Sequence, residues 1–426
     1  MKKKVWLFGI LLSLSLCCLW IVSGTYALAQ EPIVLGVATS VGFLEGKEGL
    51  ASVHLAVDEI NAAGGVMVGG QKRPFKVESL DIRDAAPGVP VPEALLGMEK
   101  LILEKKPTAM VVGPFRSEAL LAGMDMIAKY KIPLLGSIAM TPATEAKIQE
   151  NPEKYKYIFC LSLNANYFVG LLAGMMQDLN QKFGFNKIYL MNQDVAWARG
   201  TSKGLAGLLQ KKGWEVLGQD EFATGASDFS SALMKTKEKG AQVLLVCFDM
   251  PQSGILVKQW KSMKVPALMA GFISPMEGQV AWKTFDGKIE GLLNSVFELG
   301  NIGAAKYPPA MKFYDAYYKK YGKYIEAGHS PAPSYDSVYA LKEAIEKANS
   351  LNSDAIVAAL EKIDRQGVMG RIKFSPGHQV IFGTNPQETA TSCFFQWSET
   401  GKRIIVYPPE LAEGEVRLPS WMKSAK

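Results

Sequence analysis

Three histidines, His54, His329 and His378, stand far apart in this chain, and none falls in an H-E-x-x-H pair or in any spacing suited to a metal. His54 sits beside the apolar face of the first helical stretch, which is a place for a packed side chain rather than a ligand. No G-x-S-x-G elbow presents a nucleophile, and no dinucleotide glycine pattern follows the first strand. Gly42, Gly46 and Lys47 come close to a phosphate loop. However, three residues separate the glycines where four are required, and Glu48 stands where a Ser or Thr would hold magnesium. These residues point away from an enzyme, a metal site and a cofactor.

The chemistry that remains is the holding of an anion. Ser117 opens the helical stretch EALLAGMDMIAKY after the strand AMVVG, and Thr141 with Pro142 opens another after LLGSIA. A helix start offers free backbone N–H groups and the positive end of the dipole to an anion, and the same residues also serve as plain caps. Arg116, beside Ser117, could add a charge-assisted contact to a carboxylate. Phe43, Phe115, Trp197, Phe248 and Phe272 all fall near expected strand ends. Each alone reads as core; together they suit a ligand with an aromatic or branched apolar body.

The elements that must position these groups follow an α/β pattern. IVLGVAT (33–39) is apolar almost without interruption, as a strand covered on both faces should be. Leu50, Val53, Val57 and Ile60 then recur at helical spacing, Gly64 and Gly65 end the helix, and Gly69-Gly70 turns the chain into PFKVESL. Strand and helix keep alternating through Ala109–Val112, Ser117–Tyr130, Pro133–Leu135 and Pro142–Gln149. From Tyr157 the alternation reads as a second doubly wound lobe, beginning with YIFCLS and continuing through KIYLM, WEVLGQDEF, AQVLLVCF, PALMAG and GLLNSVFEL. Two polar helical stretches follow, 305–320 and 336–348, and the last third reads as hairpin strands, MGRIKFSPGHQVIFG and SCFFQWSETGKRIIVY. Such sheets hold ligands at the carboxyl ends of their strands.

Lys2, Lys3 and Lys4, an uncharged apolar run from Val5 to Val22 and Ala27-Leu28-Ala29 together read as a secretory signal cut after Ala29. Retention of the run as a single anchor is the alternative. No later segment is long and apolar enough to span a membrane, so a soluble mature chain is expected. The formal charge of +6 falls by three with the signal lysines, too small an excess for a nucleic-acid partner. Of five cysteines, Cys160, Cys247 and Cys393 survive cleavage. Cys160 and Cys247 lie in apolar strands and are expected to be buried, with one disulfide and a free thiol as the alternative.

The helix LAVDEINAAGGV, the turn VGGQKRPFKVESLD, and VVGPFRS, LLGSIAMTP and GASDFSSAL, in that order, resemble the leucine/isoleucine/valine-binding family of class I periplasmic solute-binding proteins. The resemblance covers nearly everything after the first thirty residues. It implies two Rossmann-like lobes joined by a three-strand hinge, with 30–157 and 294–368 forming lobe 1, 158–293 and 369–410 forming lobe 2, and 411–426 a tail. Chain crossings are expected near Tyr157, Leu293 and Val368. It also implies a monomeric, periplasmic, non-catalytic protein that closes on a small carboxylate-bearing ligand and delivers it to an inner-membrane ABC permease. A ligand-sensing ectodomain of the same fold is the alternative.

By the same resemblance, Ser117, Ala139 and Thr141 would grip the ligand's carboxylate, and Trp197 would supply an aromatic wall from the second lobe. The chain departs from the family in LMAGFIS, where the acid that pairs with a ligand ammonium is expected. Phe272 and Ile273 stand there without a carboxylate. The amine anchor is therefore lost, or moved to Asp249 or to Glu45 in the first loop. An ammonium enclosed without a counter-charge costs several kcal/mol, so a site lacking the acid would select ligands without an amine.

Overall fold

A computed structural model describes residues 31–422 and 424; the expected signal segment lies outside them. The strands of the first sheet alternate with helices in sequence. They are β1 (Ile33–Thr39), β4 (Phe75–Asp81), β5 (Ala109–Val112), β6 (Leu134–Gly136) and β7 (Ile158–Cys160), with a separate hairpin of β2 (Val66–Val68) and β3 (Gln71–Arg73) between β1 and β4. Their spatial order is β4-β1-β5-β6-β7, all parallel. The hairpin turns on Gly69 and Gly70, both at positive φ (60° and 74°), which a two-residue primed turn needs.

The second sheet holds β8 (Lys187–Gln193), β9 (Glu215–Phe222), β10 (Val243–Phe248), β11 (Leu268–Ile273), β12 (Leu293–Val296), β17 (Cys393–Trp397) and β18 (Arg403–Tyr407). Its order is β18-β17-β12-β11-β10-β8-β9, with β17 alone running antiparallel to the rest and pairing antiparallel with both β12 and β18. Side chains of β10 alternate between two hydrophobic clusters: Val243, Leu245 and Cys247 enter one, Leu244, Val246 and Phe248 the other. That is the two-faced burial that the unbroken run VLLVCF anticipates. A small third sheet is formed by β13 (Arg365–Gly367), β14 (Gly370–Ile372), β15 (Phe382–Gly383) and β16 (Ala390–Thr391), in the order β13-β14-β16-β15.

The chain changes sheet three times. β7, expected to open the second sheet, pairs instead with β6 as the last strand of the first, so the first crossing follows Cys160. β12 still belongs to the second sheet, after which the helices Pro308–Tyr321 and Pro331–Ala348 return to pack on the helix Leu44–Ala62 of the first lobe. The third crossing falls later than Val368. Residues 378–380 still flank β7, through Cys160 N–H to His378 O at 2.8 Å and Val380 N–H to Cys160 O at 2.9 Å, and β17 then enters the second sheet. An apolar run fixes a strand but not the sheet it joins, which is why these boundaries move.

Two further expectations are corrected or sharpened. His54 is exposed on the outer side of the helix Leu44–Ala62, because the core-facing positions of that turn are taken by Val53, Leu55 and Ala56. Cys160, Cys247 and Cys393 are all buried and free, so no disulfide forms among the described residues. Among those residues no helix is long and apolar enough to cross a membrane.

Candidate functional site

The order of the first sheet reverses between β1 and β5, and that of the second between β8 and β10. In open α/β sheets the crevice beside the carboxyl ends at such a reversal is where ligands sit. The four loops concerned, with the helix starts that three of them lead into, carry Phe43 and Glu45, Phe115 to Ser117, Trp197, and Asp249. These two crevices face each other. Between them lies a cavity of about 20 Å³, room for about one water. Its polar lining is Glu45, Ser117, Asp249 and His329; its apolar lining includes Phe115, Ile138, Met140, Trp197, Phe272 and Phe297. A larger groove, about 310 Å³, runs along the β17–β18 hairpin and residues 413–419, remote from both reversals.

On the first lobe, Asp84 fixes the loop after β5. Its carboxylate accepts the Ser40 hydroxyl and the Arg116 backbone N–H, each at 2.7 Å. Burial raises the Asp84 carboxyl above its ordinary range, against these bonds. Ser117 was expected to cap the helix it opens. Instead Arg116 holds the extended capping position (φ −81°, ψ 138°), and Ser117 is already the first helical residue. From there its hydroxyl cannot turn back to the free N–H groups. It is buried with no hydrogen-bond partner on the cavity wall.

The turn after β6 brings Ile138 and Met140 to the cavity, so Ala139 and Thr141, one residue out of phase, do not line it. The Ala139 carbonyl accepts the Ser162 hydroxyl (3.2 Å), and Thr141 Oγ1 accepts Ala143 N–H (3.2 Å) at the start of the helix Ala143–Glu150. Phe43 packs on Phe115 with ring centroids 5.3 Å apart, outside the cavity lining.

Glu45 is the second residue of the helix Leu44–Ala62 and is 1% exposed. Gly46 beside it lies so close to the loop that a Cβ would meet the Ser40 carbonyl oxygen at 2.1 Å. The Ser274 hydroxyl of the second lobe donates to Glu45 Oε1; Oε2 has no partner. Burial pushes this carboxyl up to about 7; the Ser274 hydrogen bond pulls it down, nearby Asp249 adds to the rise, and His329 opposes it.

From the second lobe, Asp249 follows β10, and Gln193 at the end of β8 accepts the Asp249 and Met250 N–H groups, both at 3.1 Å. The Asp249 carboxylate is fully engaged. Arg116 of the first lobe reaches it with Nη1 to Oδ2 at 2.6 Å and Nη2 to Oδ1 at 3.2 Å, and the Trp197 indole N–H donates to Oδ2 at 2.7 Å. The guanidinium lies 5.2 Å from the Phe115 ring and 5.8 Å from that of Phe43. Arg116, read from sequence as a contact for a ligand carboxylate, therefore pairs with a protein carboxylate 133 residues away. A second bridge joins Glu118 Oε1 to the Ala196 N–H at the start of the helix Ala196–Lys211, at 3.1 Å.

The aromatic wall is continuous. Phe272 stacks on Phe297 at 4.0 Å, and the Trp197 ring meets both edge-on, at 5.8 and 6.1 Å. Beyond Phe297 stands His329, whose Nδ1 faces the Glu298 carboxylate (3.0 and 3.2 Å) and whose Nε2 faces the Ile138 carbonyl (2.7 Å). A carboxylate on one nitrogen and a carbonyl on the other favour the doubly protonated ring. Burial works against that charge, but Glu298 and the Ile138 carbonyl outweigh it and raise the His329 pKa.

Glu45, Ser117, Trp197, Asp249 and Phe272 are thus brought to one cavity, with Arg116 directly behind it. Sequence reasoning missed His329, Phe297, Ile138 and Met140. Ile138 and Met140 sit inside the stretch LLGSIAMTP, and strand-like alternation there could have found them. Nothing local marks His329.

A sequence profile described as periplasmic binding protein matches residues 34–398. The Leu/Ile/Val-binding protein homolog 7 of Brucella suis biovar 1 (strain 1330) is 24% identical over 389 residues, covering 88% of this chain and 90% of its own. Homolog 8 of Brucella abortus (strain 2308) is 24% identical over 387 residues, covering 88% and 89%. Among solved structures, the periplasmic binding protein type 1 of Bordetella pertussis Tohama I superimposes with a TM-score of 0.72 at 22% identity, covering 88% of this chain and 99% of its own. The branched-chain amino acid transporter substrate binding protein LivJ of Streptococcus pneumoniae, in complex with isoleucine, gives 0.70 at 22% identity, covering 89% and 100%.

Proposed function

Because this chain belongs to the periplasmic binding protein family, we propose that it is the solute-capturing partner of an ABC-type importer, holding a small carboxylate-bearing ligand between its lobes and passing it to a membrane permease. It acts as a monomer and by binding alone; the lobes move about the three crossings as a hinge. One observation carries this reading. A single cavity at the facing sheet reversals takes lining from both lobes, and two of its polar atoms, Ser117 Oγ and Glu45 Oε2, have no partner in the protein. Buried polar groups are nearly always paired, so two orphans on one cavity wall mark where a ligand completes the bonding.

The carboxylate is assigned to Ser117 at the N-terminus of the helix Ser117–Tyr130, where dipole and hydroxyl act together. The cavity is smaller than any amino acid, so the wall yields on binding. Met140 is its most adaptable side chain, and Ala139 and Thr141 flank it. With Met140 displaced, both neighbours come within reach of the anion. The Phe115, Trp197, Phe272 and Phe297 rings receive the apolar body. The Brucella relatives are described as Leu/Ile/Val-binding protein homologs, and LivJ holds isoleucine, which agrees with a branched apolar ligand.

A thermal-shift screen of residues 30–426 against amino acids and against carboxylates lacking an amine tests the reading. A ligand at a hundred times its dissociation constant adds about 2.7 kcal/mol, a visible shift. Stabilisation by one chemical group of these ligands is expected; no shift with any of them would end the solute-capture reading.

A further inference from the structure

We propose that Glu45 is the specificity-determining residue for the ligand's cationic end, so that the ammonium is anchored from the first lobe and not from the second. The inference rests on the solute-capture reading and deepens it.

The other carboxylates near the cavity are spent. Asp249 is closed by Arg116 and Trp197. Glu298 takes His329, the N–H groups of Leu163 and Ser330, and the Asn301 amide. Glu277, fully buried with neither oxygen hydrogen-bonded, does not line the cavity. Of the two carboxylate residues that line it, Glu45 alone has an oxygen without a partner, and no Lys, Arg or His forms an ion pair with Glu45 among the described residues. Ser274 occupies Oε1 and so leaves Oε2 for one donor. The neighbouring aromatic faces suit a cation as well as an apolar body.

Every charged group facing Glu45 fits this assignment. Asp249 is neutralised by Arg116, and His329 by Glu298, while burial and the nearby Glu45 raise the Glu277 carboxyl well above its ordinary range and so favour its uncharged form. The carboxyl near 7 is then half protonated at neutral pH, and an arriving ammonium displaces that proton. Affinity for an amine-bearing ligand should rise about tenfold per pH unit below about 7 and level off above it, as one-proton linkage requires.

The test measures binding of the twenty amino acids and of their deaminated counterparts, such as leucine against 4-methylpentanoate, to residues 30–426 and to Glu45→Gln. Glutamine keeps the Ser274 bond, and an unfolding temperature at least equal to that of the parent at about pH 8 shows that the variant is folded. The expected result is at least about a 30-fold loss of the amine-bearing ligand in the variant, the scale of removing one member of a buried charge pair, together with loss of its pH slope. Amine-free ligands binding as tightly as their amino counterparts, or an unchanged affinity in the variant, would overturn the proposal while leaving solute capture intact. Failure of both ligand groups to bind the parent would instead remove the reading beneath it.

Discussion

Arg116 and Asp249 join the two lobes through a two-pronged contact, with both side chains under a tenth exposed. One residue precedes the first helix of a first-lobe crevice and the other follows a second-lobe strand, so the bond exists only while the lobes are together. Asp249 in this role is a structural counter-charge and is not free to hold a ligand amine.

Removing either member of this pair should therefore shift the balance toward separated lobes. Asp249→Asn and Arg116→Gln are each expected to weaken ligand binding, since leaving one buried charge unpaired costs about 3–5 kcal/mol when the lobes close. The double variant should be little worse than the poorer single one, because both report one interaction. Isothermal titration of the four proteins checks this; strictly additive losses would mean that the two residues act separately.

Ser117→Ala should lower affinity by about 0.5–1.5 kcal/mol, the net value of one hydrogen bond. It should leave the unfolding temperature of the ligand-free protein unchanged or slightly raised, because the hydroxyl is buried without a partner. A drop in stability with affinity intact would move Ser117 from the site to the scaffold.

Stability should fall as pH rises from about 5 to 8, and Glu277 is one reason. Burial, reinforced by Glu45, raises its carboxyl well above the ordinary 4.5. A carboxyl raised in the folded state takes up a proton on folding, so its full contribution is present below 4.5 and fades as pH climbs toward the folded value. His329, also raised, acts in the same direction, its contribution lost as pH rises through its folded value above 6.5. Glu277→Gln should flatten the slope and stabilise the protein at about pH 8, by up to about 1.4 kcal/mol for each pH unit removed. Urea denaturation at both pH values reads this directly.

Asp336 is fully buried in the helix Pro331–Ala348 and accepts Arg365 Nη1 (2.9 Å) and the N–H groups of Val368 and Met369 (2.9 and 3.2 Å). Asp336→Ala strands three donors at the approach to the third crossing and should cost about 3 kcal/mol or more. Asp336→Asn, which keeps one acceptor oxygen, should cost less. Equal costs would show that packing, not these bonds, holds the segment.

The strands and helices were legible in the sequence because runs such as VLLVCF and spacings such as Val53–Val57–Ile60 record burial directly. Sheet membership was not, since an apolar run does not name its neighbour, and both β7 and β12 extend a sheet past the expected lobe boundary. At the site, Ser117, Trp197, Phe272 and Glu45 were readable from their positions after strands. The fate of Arg116 and Asp249 was not, because it depends on two loops meeting across the cleft. Ala139 and Thr141 stand one residue out of phase with Ile138 and Met140, a displacement that only the pleat of the chain decides. His329 takes its charge from Glu298 and the Ile138 carbonyl, which no local pattern brings together.

The three buried thiols have a practical corollary. Cys160, Cys247 and Cys393 lie on three different strands, and burial pushes each up to about 12, so at neutral pH none offers the thiolate that electrophilic dyes attack. A cysteine placed at exposed Lys47 on one lobe and another at exposed Lys203 on the other would be the reactive pair in a protein lacking residues 1–29. The native chain is in this sense already a blank for two-colour labelling, and the distance between its halves can be followed by energy transfer without first stripping out its own cysteines.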